Sequence, residues 1–287
     1  MAGGKALVLG GGGITGIAWE LGMIAGLADA GVELADADVV VGTSAGSAVA
    51  AQVLSGTPIN ELFARQVADA TGEAGWRMGA GALVRLILAA AWPGDDRRGR
   101  AYLGRRALAA QTIPESEFRQ VFVSMLGDSR WPEGRLLLTA VDAETGEAKV
   151  FDRDSGVELV DAVAASCAVP IVLPPVTVNG RRYIDGGARS LTNADLATGC
   201  DRVVVLAPAT FGIKRRQRVG DQLRRLGPEV RSVIVSPDAM ARKAIGSNVL
   251  DPARRAPAAR AGREQAARVV DAIREVWAER EAAAAAR

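Results

Sequence analysis

The chain has 287 residues, of which 49% are hydrophobic and 24% are charged, so it can bury the core of a globular protein. Its formal charge of +2 is too small to indicate a nucleic-acid-binding protein, although it does not oppose contact with an anionic membrane surface. The chain contains no histidine, which excludes a Ser-His-Asp triad within it and any histidine-ligated metal site.

The cysteine count and the apolar runs bear on the compartment. Two cysteines, Cys167 and Cys200, are too few for a disulfide framework and indicate free thiols in a reducing compartment. The N-terminus lacks the pattern of a signal peptide. The longest apolar run, 82–92, is interrupted by Arg85 and is too short for a transmembrane helix. We expect a cytoplasmic protein, with peripheral membrane contact as an open alternative.

The first predicted strand, 5–9, runs into a glycine-rich loop that opens a predicted helix over about 17–30. Glycines at the mouth of a helix expose several backbone N–H groups and make an anion-binding nest. Such a nest serves either the pyrophosphate of a dinucleotide or an oxyanion. The glycines concerned are Gly10, Gly11, Gly12, Gly13 and Gly16.

The spacing Gly11-x-Gly13-x-x-Gly16 fits the dinucleotide fingerprint, which also needs an acidic residue at the end of the second strand. The second predicted strand, 38–41, ends in Gly-Thr-Ser and offers no carboxylate there. Because successive βα turns of a parallel sheet open at the same edge, the loop is better suited to an oxyanion hole. A dinucleotide-binding oxidoreductase remains the alternative.

The second strand leads into Gly-Thr-Ser-Ala-Gly at 42–46 and then into an Ala/Val-rich helix start. A serine at such a turn, with glycine two residues before and after it, is the pattern of a nucleophile elbow. A Cβ at Gly42 or Gly46 would crowd the strand against the helix. Taken alone, the pattern fits an ordinary tight turn equally well. If Ser44 is a nucleophile, a group other than imidazole must take its proton.

Residues 58–130 are predicted to form a mostly helical insertion, with helices near 59–70, 81–92, 100–110 and 115–126. The run 83–88 is apolar enough for a lid or a lipid-facing surface. We favour a core helix there, because a buried helix gives the same pattern.

Strands resume at 134–141 and 148–151, which are predicted to pair as a hairpin, and a short helix follows over 157–166. Residues 168–175 are predicted to be extended and fixed by proline.

Two more buried strands are predicted at 202–206 and 231–235, and an alanine-rich helix over 263–287 is expected to pack on the outside. The basic segments 214–218 and 224–225 are interpreted as solvated faces, with membrane contact as the alternative.

An apolar pair, Tyr183-Ile184, delivers Asp185 to a glycine-rich turn at another predicted strand end. Ordinary turns use Asp-Gly often, so this signal is weak by itself. Beside a candidate serine nucleophile, and without histidine, Asp185 is the leading candidate for the base.

The glycine loop, the 42–46 pentapeptide and Asp185-Gly186-Gly187, in this order, resemble the patatin-like phospholipase family. The likeness extends over 5–54 and about 134–205, and includes the 165–170 stretch and Asn193. The resemblance implies an α/β class, three-layer α/β/α fold with a central, mostly parallel sheet. It also implies a single domain over 1–287, with its core at about 5–57 and 134–250, a helical insertion or cap at about 58–130, and a C-terminal helix at about 260–287.

The resemblance further implies a cytoplasmic serine esterase of lipid metabolism and lipid degradation, with a lipid ester as substrate. Ser44 would be the nucleophile and Asp185 the general base, with the pKa of that carboxylate raised by desolvation. The resemblance implies neither a cofactor nor a metal nor a nucleic-acid partner. It places the oxyanion hole at Gly11, Gly12, Gly13 and Ala45. The glycines that support the motifs are Gly16, Gly42, Gly46, Gly186 and Gly187.

In one position the chain departs from the family. The family usually has a basic residue in the glycine loop, where this chain has Thr15. A neighbouring Arg or Lys could substitute, or the amides alone could stabilise the charge. The departure bears on catalytic strength and on preference for phospholipid head groups. Together with the basic segments 214–218 and 224–225, it motivates a further alternative, a catalytically silent membrane- or partner-binding scaffold.

Overall fold

The computed structural model describes residues 3–68, 75–77, 79–128 and 130–278. Its described strands form one sheet in the order β5-β6-β3-β2-β1-β7-β8, with β4 paired to β3. Neighbours from β3 through β2, β1 and β7 to β8 are parallel, whereas β4, β5 and β6 pair antiparallel. The strands are β1 (Gly4–Leu9), β2 (Val39–Thr43), β3 (Arg135–Asp142), β4 (Ala148–Phe151), β5 (Val176–Val178), β6 (Arg181–Asp185), β7 (Cys200–Leu206) and β8 (Arg231–Val235).

Helices cover both faces of this sheet. Alternate residues of β1 divide between two apolar clusters: Leu7 packs on the side of the N- and C-terminal helices, and Val8 on the other side, with Leu223. This arrangement confirms the predicted three-layer α/β/α fold. The helices are α1 (Gly13–Asp29), α2 (Ala45–Val53), α3 (Ile59–Val67), α4 (Ala80–Ala90), α5 (Asp96–Leu108), α6 (Glu115–Leu126), α7 (Leu159–Ser166), α8 (Val219–Leu226), α9 (Ala239–Ile245) and α10 (Arg255–Trp277).

The insertion is helical as predicted, since α3 to α6 lie within 58–130. Nothing in the described part of the chain is a helix both long and apolar enough to cross a bilayer. The expectation that 83–88 is core is wrong, because Leu83, Val84 and Leu88 are about half exposed.

The C-terminal helix begins earlier than predicted, and one of its faces is buried against α1 while the other is exposed. A Cβ on Gly22 of α1 would stand 2.0 Å from the Ala259 carbonyl oxygen, and one on Gly262 of α10 would stand 2.2 Å from the Trp19 carbonyl oxygen. Glycine at both places lets the two helix backbones touch, so α10 buries a full stripe against α1. Residues 279–287 of the predicted helix lie outside the described residues.

The prediction of an extended segment over 168–175 is also wrong. The N–H groups of Val172 and Leu173 both donate to the Val169 carbonyl, at 3.2 and 2.9 Å, and Ile171 has a positive φ of 73°. The prolines here limit φ but leave the intervening residues free to close a turn.

The register of β3 brings two strand ends together. β4 pairs with both Thr139 and Ala140, so it occupies one edge of β3. On the other edge, Thr139 pairs with Thr43, the last residue of β2, and Ala140 pairs with Asp185, the last residue of β6. Since β2 runs parallel and β6 antiparallel to β3, the two strands approach each other head-on and end at adjacent positions. The residues that follow β2 therefore meet Asp185.

Candidate active site

The turn after β2 holds Ser44 in an uncommon backbone conformation. Its φ is 52° and its ψ is −121°, a region that costs free energy for any residue with a Cβ. Both flanking glycines are required by contact: a Cβ on Gly42 would stand 2.6 Å from the Ser47 Cα, and one on Gly46 would stand 2.1 Å from the Leu9 carbonyl oxygen. The strained serine therefore sits on a strand-to-helix turn that only glycine permits.

Three side chains fix the backbone of Ser44. Its N–H donates to the Ser166 Oγ at 2.9 Å, and its carbonyl accepts from the Ser47 Oγ at 2.6 Å and the Cys167 Sγ at 3.1 Å. Burial, with the nearby Asp185 charge, raises the pKa of Cys167, so the thiol stays protonated and can donate. Apart from the resemblance of the 165–170 stretch, no pattern in the sequence indicated these hydrogen bonds to the Ser44 backbone.

Asp185 is buried at the end of β6 beside Ser44. Burial raises the pKa of its carboxyl from 3.8 to about 6, while hydrogen bonding to the Ser44 side chain and to the Gly187 N–H, at 2.6 Å, lowers it. A Cβ on Gly186 would stand 2.2 Å from the Thr139 Oγ1, so this turn also needs glycine. The two residues predicted as nucleophile and base thus lie at adjacent strand ends, opposite Thr139 and Ala140 of β3.

Asn193 joins the elements around this pair. Its Nδ2 donates to the Ser190 carbonyl at 2.7 Å, to the Thr43 Oγ1 at 3.0 Å and to the Thr139 Oγ1 at 3.2 Å. The side chain is fully buried. These bonds tie the end of β2 to β3 and to the segment after Asp185, so Asn193 sets the spacing between the strand ends.

The glycine loop after β1 lies at the N-terminus of α1, beside the Ser44 turn. The N–H groups of Gly12, Gly13 and Ala45 donate to no acceptor among the described residues, and they lie at the positive ends of α1 and α2. Gly16 closes the loop by donating to the Gly12 carbonyl at 2.9 Å. Gly11 differs, because its N–H donates to the Leu191 carbonyl at 2.7 Å. This hydrogen bond contradicts the expected use of the Gly11 amide for an oxyanion.

Thr15 and Glu20 complete the surroundings of the loop. Thr15 is fully buried, and both its N–H and its Oγ1 donate to the Val249 carbonyl, at 3.1 and 3.3 Å. Glu20, which we did not predict, accepts from the Gly10 N–H at 2.9 Å, and burial raises the pKa of its carboxyl well above the usual range. Its sequence signal was one acidic residue within the apolar stripe of the first helix. This buried carboxyl holds the first amide of the loop in place.

A cavity of about 920 Å³ opens at Ser44. Gly13, Ser44 and Ala45 lie in its wall, so the glycine-loop amides and the serine face the same space. This volume is at the upper end of the range for small-molecule sites. Two cations, Arg65 and Arg255, also line it. Its apolar wall is formed by Ile14, Ile17, Leu62, Trp76, Phe118, Val121, Phe122, Met125, Leu126, Val169, Leu173 and Leu250.

Across the described ranges, Cys, Asp and Glu side chains do not come together in groups of three that could hold a metal ion. The arrangement is a serine on a strained turn, a buried carboxyl group and N–H groups at two helix N-termini, beside a largely apolar cavity.

Comparison with known proteins agrees with this description. The sequence model of the patatin-like phospholipase family matches residues 7–198, which include the glycine loop, Ser44 and Asp185. The chain belongs to the patatin-like phospholipase family. A search of curated proteins found no significant match.

Two solved structures match most of the chain. VipD from Legionella pneumophila is 15% identical with a TM-score of 0.46, and the match covers 94% of this chain and 67% of that one. The type III effector protein ExoU is 18% identical with a TM-score of 0.43, and the match covers 95% of this chain and 53% of that one. The chain therefore spans about half the length of ExoU and about two thirds of VipD.

Proposed function

We propose that the protein is a carboxylic ester hydrolase that cleaves acyl esters of lipids through a Ser44–Asp185 dyad. One observation carries the proposal: the strained Ser44 lines an apolar cavity of about 920 Å³ and follows the end of β2, next to the end of β6, where burial raises the pKa of the Asp185 carboxyl to about 6. Family membership supports a lipid acyl hydrolase. The dyad and the oxyanion donors are our assignments from the geometry.

The reaction begins with Asp185 deprotonated, which a pKa of about 6 ensures at neutral pH. The Ser44 Oγ attacks the ester carbonyl carbon and its proton passes to the Asp185 carboxylate. The tetrahedral intermediate collapses, the ester oxygen leaves with the proton from Asp185, and an acyl-serine remains. Water then gives its proton to Asp185 and attacks the acyl carbon. As the second tetrahedral intermediate collapses, Asp185 returns that proton to the leaving Ser44 Oγ, which releases the carboxylic acid and restores both Ser44 and the carboxylate.

The N–H groups of Gly12, Gly13 and Ala45 are proposed to stabilise the negative oxygen of each tetrahedral intermediate. They lie at the N-termini of α1 and α2, where partial positive charge favours an anion, and Gly13 and Ala45 line the same cavity as Ser44. Gly11 is left out because Leu191 already accepts its N–H. With Thr15 turned to Val249, amides take the place of the basic side chain usual in the family.

The cavity supports a substrate with a long apolar acyl group. Its wall is largely aromatic and aliphatic, and α6 of the insertion supplies Phe118, Phe122 and Met125. We propose that residues 58–130 act as a cap on a single domain that binds the chain of the substrate. A role in lipid degradation follows from this chemistry.

The site itself favours neither alternative. β2 ends at Thr43 and is followed by Ser44, without the acidic residue of a dinucleotide site. The scaffold alternative rested on Thr15 and on the basic segments. Thr15 is held by hydrogen bonds to the Val249 carbonyl, and basic segments are compatible with a catalytic protein that contacts a membrane.

Fluorophosphonate labelling tests the proposal. The wild-type protein should be labelled and should hydrolyse p-nitrophenyl esters, and Ser44→Ala should lose both properties. Ser124→Ala is the matched control, since Ser124 lines the same cavity and should stay irrelevant to labelling. A wild type that is not labelled, or a Ser44→Ala variant that is labelled normally, would overturn the assignment.

A further inference from the structure

A second apolar surface lies outside the cavity, on one side of α4. Four of its residues, spaced so that they share one helix face, are between 40% and 54% exposed, and a phenylalanine on a neighbouring loop is 62% exposed. Five of the eight exposed large hydrophobic side chains among the described residues are in this group. We call it the α4 face, and it consists of Leu83, Val84, Ile87, Leu88 and Phe211.

The opposite side of α4 packs against the rest of the protein, so the helix is held in place while its apolar face stays exposed. Ala82 and Ala89 are buried, and Ala89 shares an apolar cluster with Leu103 of α5 and Ile184 of β6. Ala188, three residues after Asp185, packs against the same cluster. A cleft of about 210 Å³ lies between α4, residues 187–191 and the loop at 211–212. The α4 face therefore borders the segment that carries the proposed base.

Basic residues lie beside the α4 face. The segment 214–218 contains four cations and is held against the end of α4, where the Gln217 Nε2 donates to the Ala90 carbonyl at 3.3 Å. The Arg215 side chain is 83% exposed, and it contacts Asp221 at 3.3 Å. Arg218 donates to backbone carbonyls in the same loop.

Part of this charge is offset. Lys214 and Arg216 both pair with Asp96 at the start of α5. Asp221 pairs with Arg215. Two carboxylates against four cations leave the segment positive, and the Arg215 and Arg218 side chains remain exposed.

We propose that the α4 face and the 214–218 segment together dock on the surface of an anionic phospholipid bilayer. Apolar side chains flanked by arginine and lysine are the pattern of an element that lies in the membrane interface. Self-association through this face would bring two positive segments together, so an anionic surface is the better complement. This inference rests on the proposed function, because it places the substrate-bearing membrane beside the Asp185 segment.

Vesicle flotation tests the surface without requiring hydrolysis. Vesicles are made of phosphatidylcholine alone or of phosphatidylcholine with phosphatidylserine. Leu83→Asp combined with Leu88→Asp should lower the bound fraction on both by about tenfold or more. Met240→Asp is the matched control, because Met240 is 62% exposed on α9, and its binding should equal that of the wild type.

Charge reversal tests the basic segment separately. Arg215→Glu combined with Arg218→Glu should weaken binding to the phosphatidylserine vesicles only, and added salt should erase the difference. Arg260→Glu, at an exposed position on α10, is the control. An environment-sensitive dye at Leu88→Cys should shift to the blue on vesicles, and the same dye at Met240→Cys should not. Both native cysteines are buried, so labelling is selective.

The outcomes separate the surface from the activity. Vesicle binding that needs the α4 face supports the surface even if no ester is hydrolysed, a result that would remove the proposed function alone. Hydrolysis of soluble esters with unchanged binding in the Leu83/Leu88 variant would leave the function and overturn the surface. Self-association abolished by the same variant, with no vesicle binding by the wild type, would overturn the bilayer as partner in favour of a second copy of the chain.

Discussion

Replacing Asp185 by asparagine should make the protein more stable at neutral pH while removing its activity. Burial raises the pKa of this carboxyl from 3.8 to about 6, so folding disfavours its charged form. That rise corresponds to about 3 kcal/mol at neutral pH, since each tenfold change in proton affinity is about 1.4 kcal/mol. Asparagine keeps the shape and an oxygen that can accept from the Gly187 N–H, but it accepts less strongly than a carboxylate. We therefore expect a gain of about 1 to 3 kcal/mol.

The sign of the pH dependence follows from the raised pKa. Stability that comes from the tightly held proton on Asp185 is fully present below about pH 4 and is lost as the pH rises through about 6. Urea unfolding of the wild type and of Asp185→Asn over this range should therefore diverge. The difference in unfolding free energy should be smallest near pH 4 and largest above about pH 7.

Asp238→Asn is a control with the opposite sign. The Ala241 N–H and the Arg268 guanidinium hold the pKa of Asp238 below its usual range, so its charged form stabilises the fold. That variant should be less stable than the wild type at neutral pH and should converge with it in acid. The argument from burial would be refuted if Asp185→Asn were less stable than the wild type at about pH 8, or if its unfolding free energy differed from that of the wild type by the same amount at every pH.

The ionisation of the Asp185 carboxyl also predicts how activity depends on pH. Because Asp185 must be deprotonated to act as a base, kcat/KM for a soluble ester should rise with pH and level off above about 6. Asp185→Asn should turn over no ester at any pH.

Three further variants test the site. Gly46→Ala should lower the unfolding free energy in urea by about 3 kcal/mol or more, because the new Cβ would stand 2.1 Å from the Leu9 carbonyl oxygen. The control Gly134→Ala has no neighbour within 4 Å and should change the unfolding free energy by less than about 0.5 kcal/mol; equal effects of the two substitutions would contradict the contact argument. Met125→Trp should lower kcat/KM about tenfold for long-chain esters and leave short-chain esters unchanged, measured across a p-nitrophenyl ester series; a uniform loss would place the chain elsewhere. Asn193→Leu should cost about 2 kcal/mol or more, because buried oxygen acceptors lose their donor, and denaturation showing no loss would remove its role in spacing the strand ends.

The sequence predicted most of the sheet and the two residues, Ser44 and Asp185, that the structure places at adjacent strand ends. The strand at 148–151, the helix at 115–126 and the strand at 231–235 have the predicted bounds. The glycine turn at 42–46 and the Asp185 turn were recognisable because each needs residues without a Cβ at fixed positions. Turns that require glycine at fixed positions can be recognised from a few consecutive residues of the sequence.

What sequence could not provide depends on contacts between distant segments. An apolar helix such as α4 has the same pattern whether it is covered or exposed, so its exposure had to come from the structure. The loss of the Gly11 amide to Leu191 needs a hydrogen bond across 180 residues of chain. The close packing of α10 on α1 involves Gly22 and Gly26, which are four residues apart, but the sequence does not identify which helix they meet.

The head-on meeting of β2 and β6 along one edge of β3 has a consequence for how this family of sites can vary. The distance between the serine turn and the aspartate is set by two adjacent residues of β3, Thr139 and Ala140, which pair with the ends of β2 and β6. Inserting one residue into β3 at that point would lengthen this distance by about 3.3 Å, more than a hydrogen bond can stretch, while both turns kept their local shape. The loops around the site can change length, whereas the length and register of β3 between these two residues must stay constant for Ser44 and Asp185 to remain close.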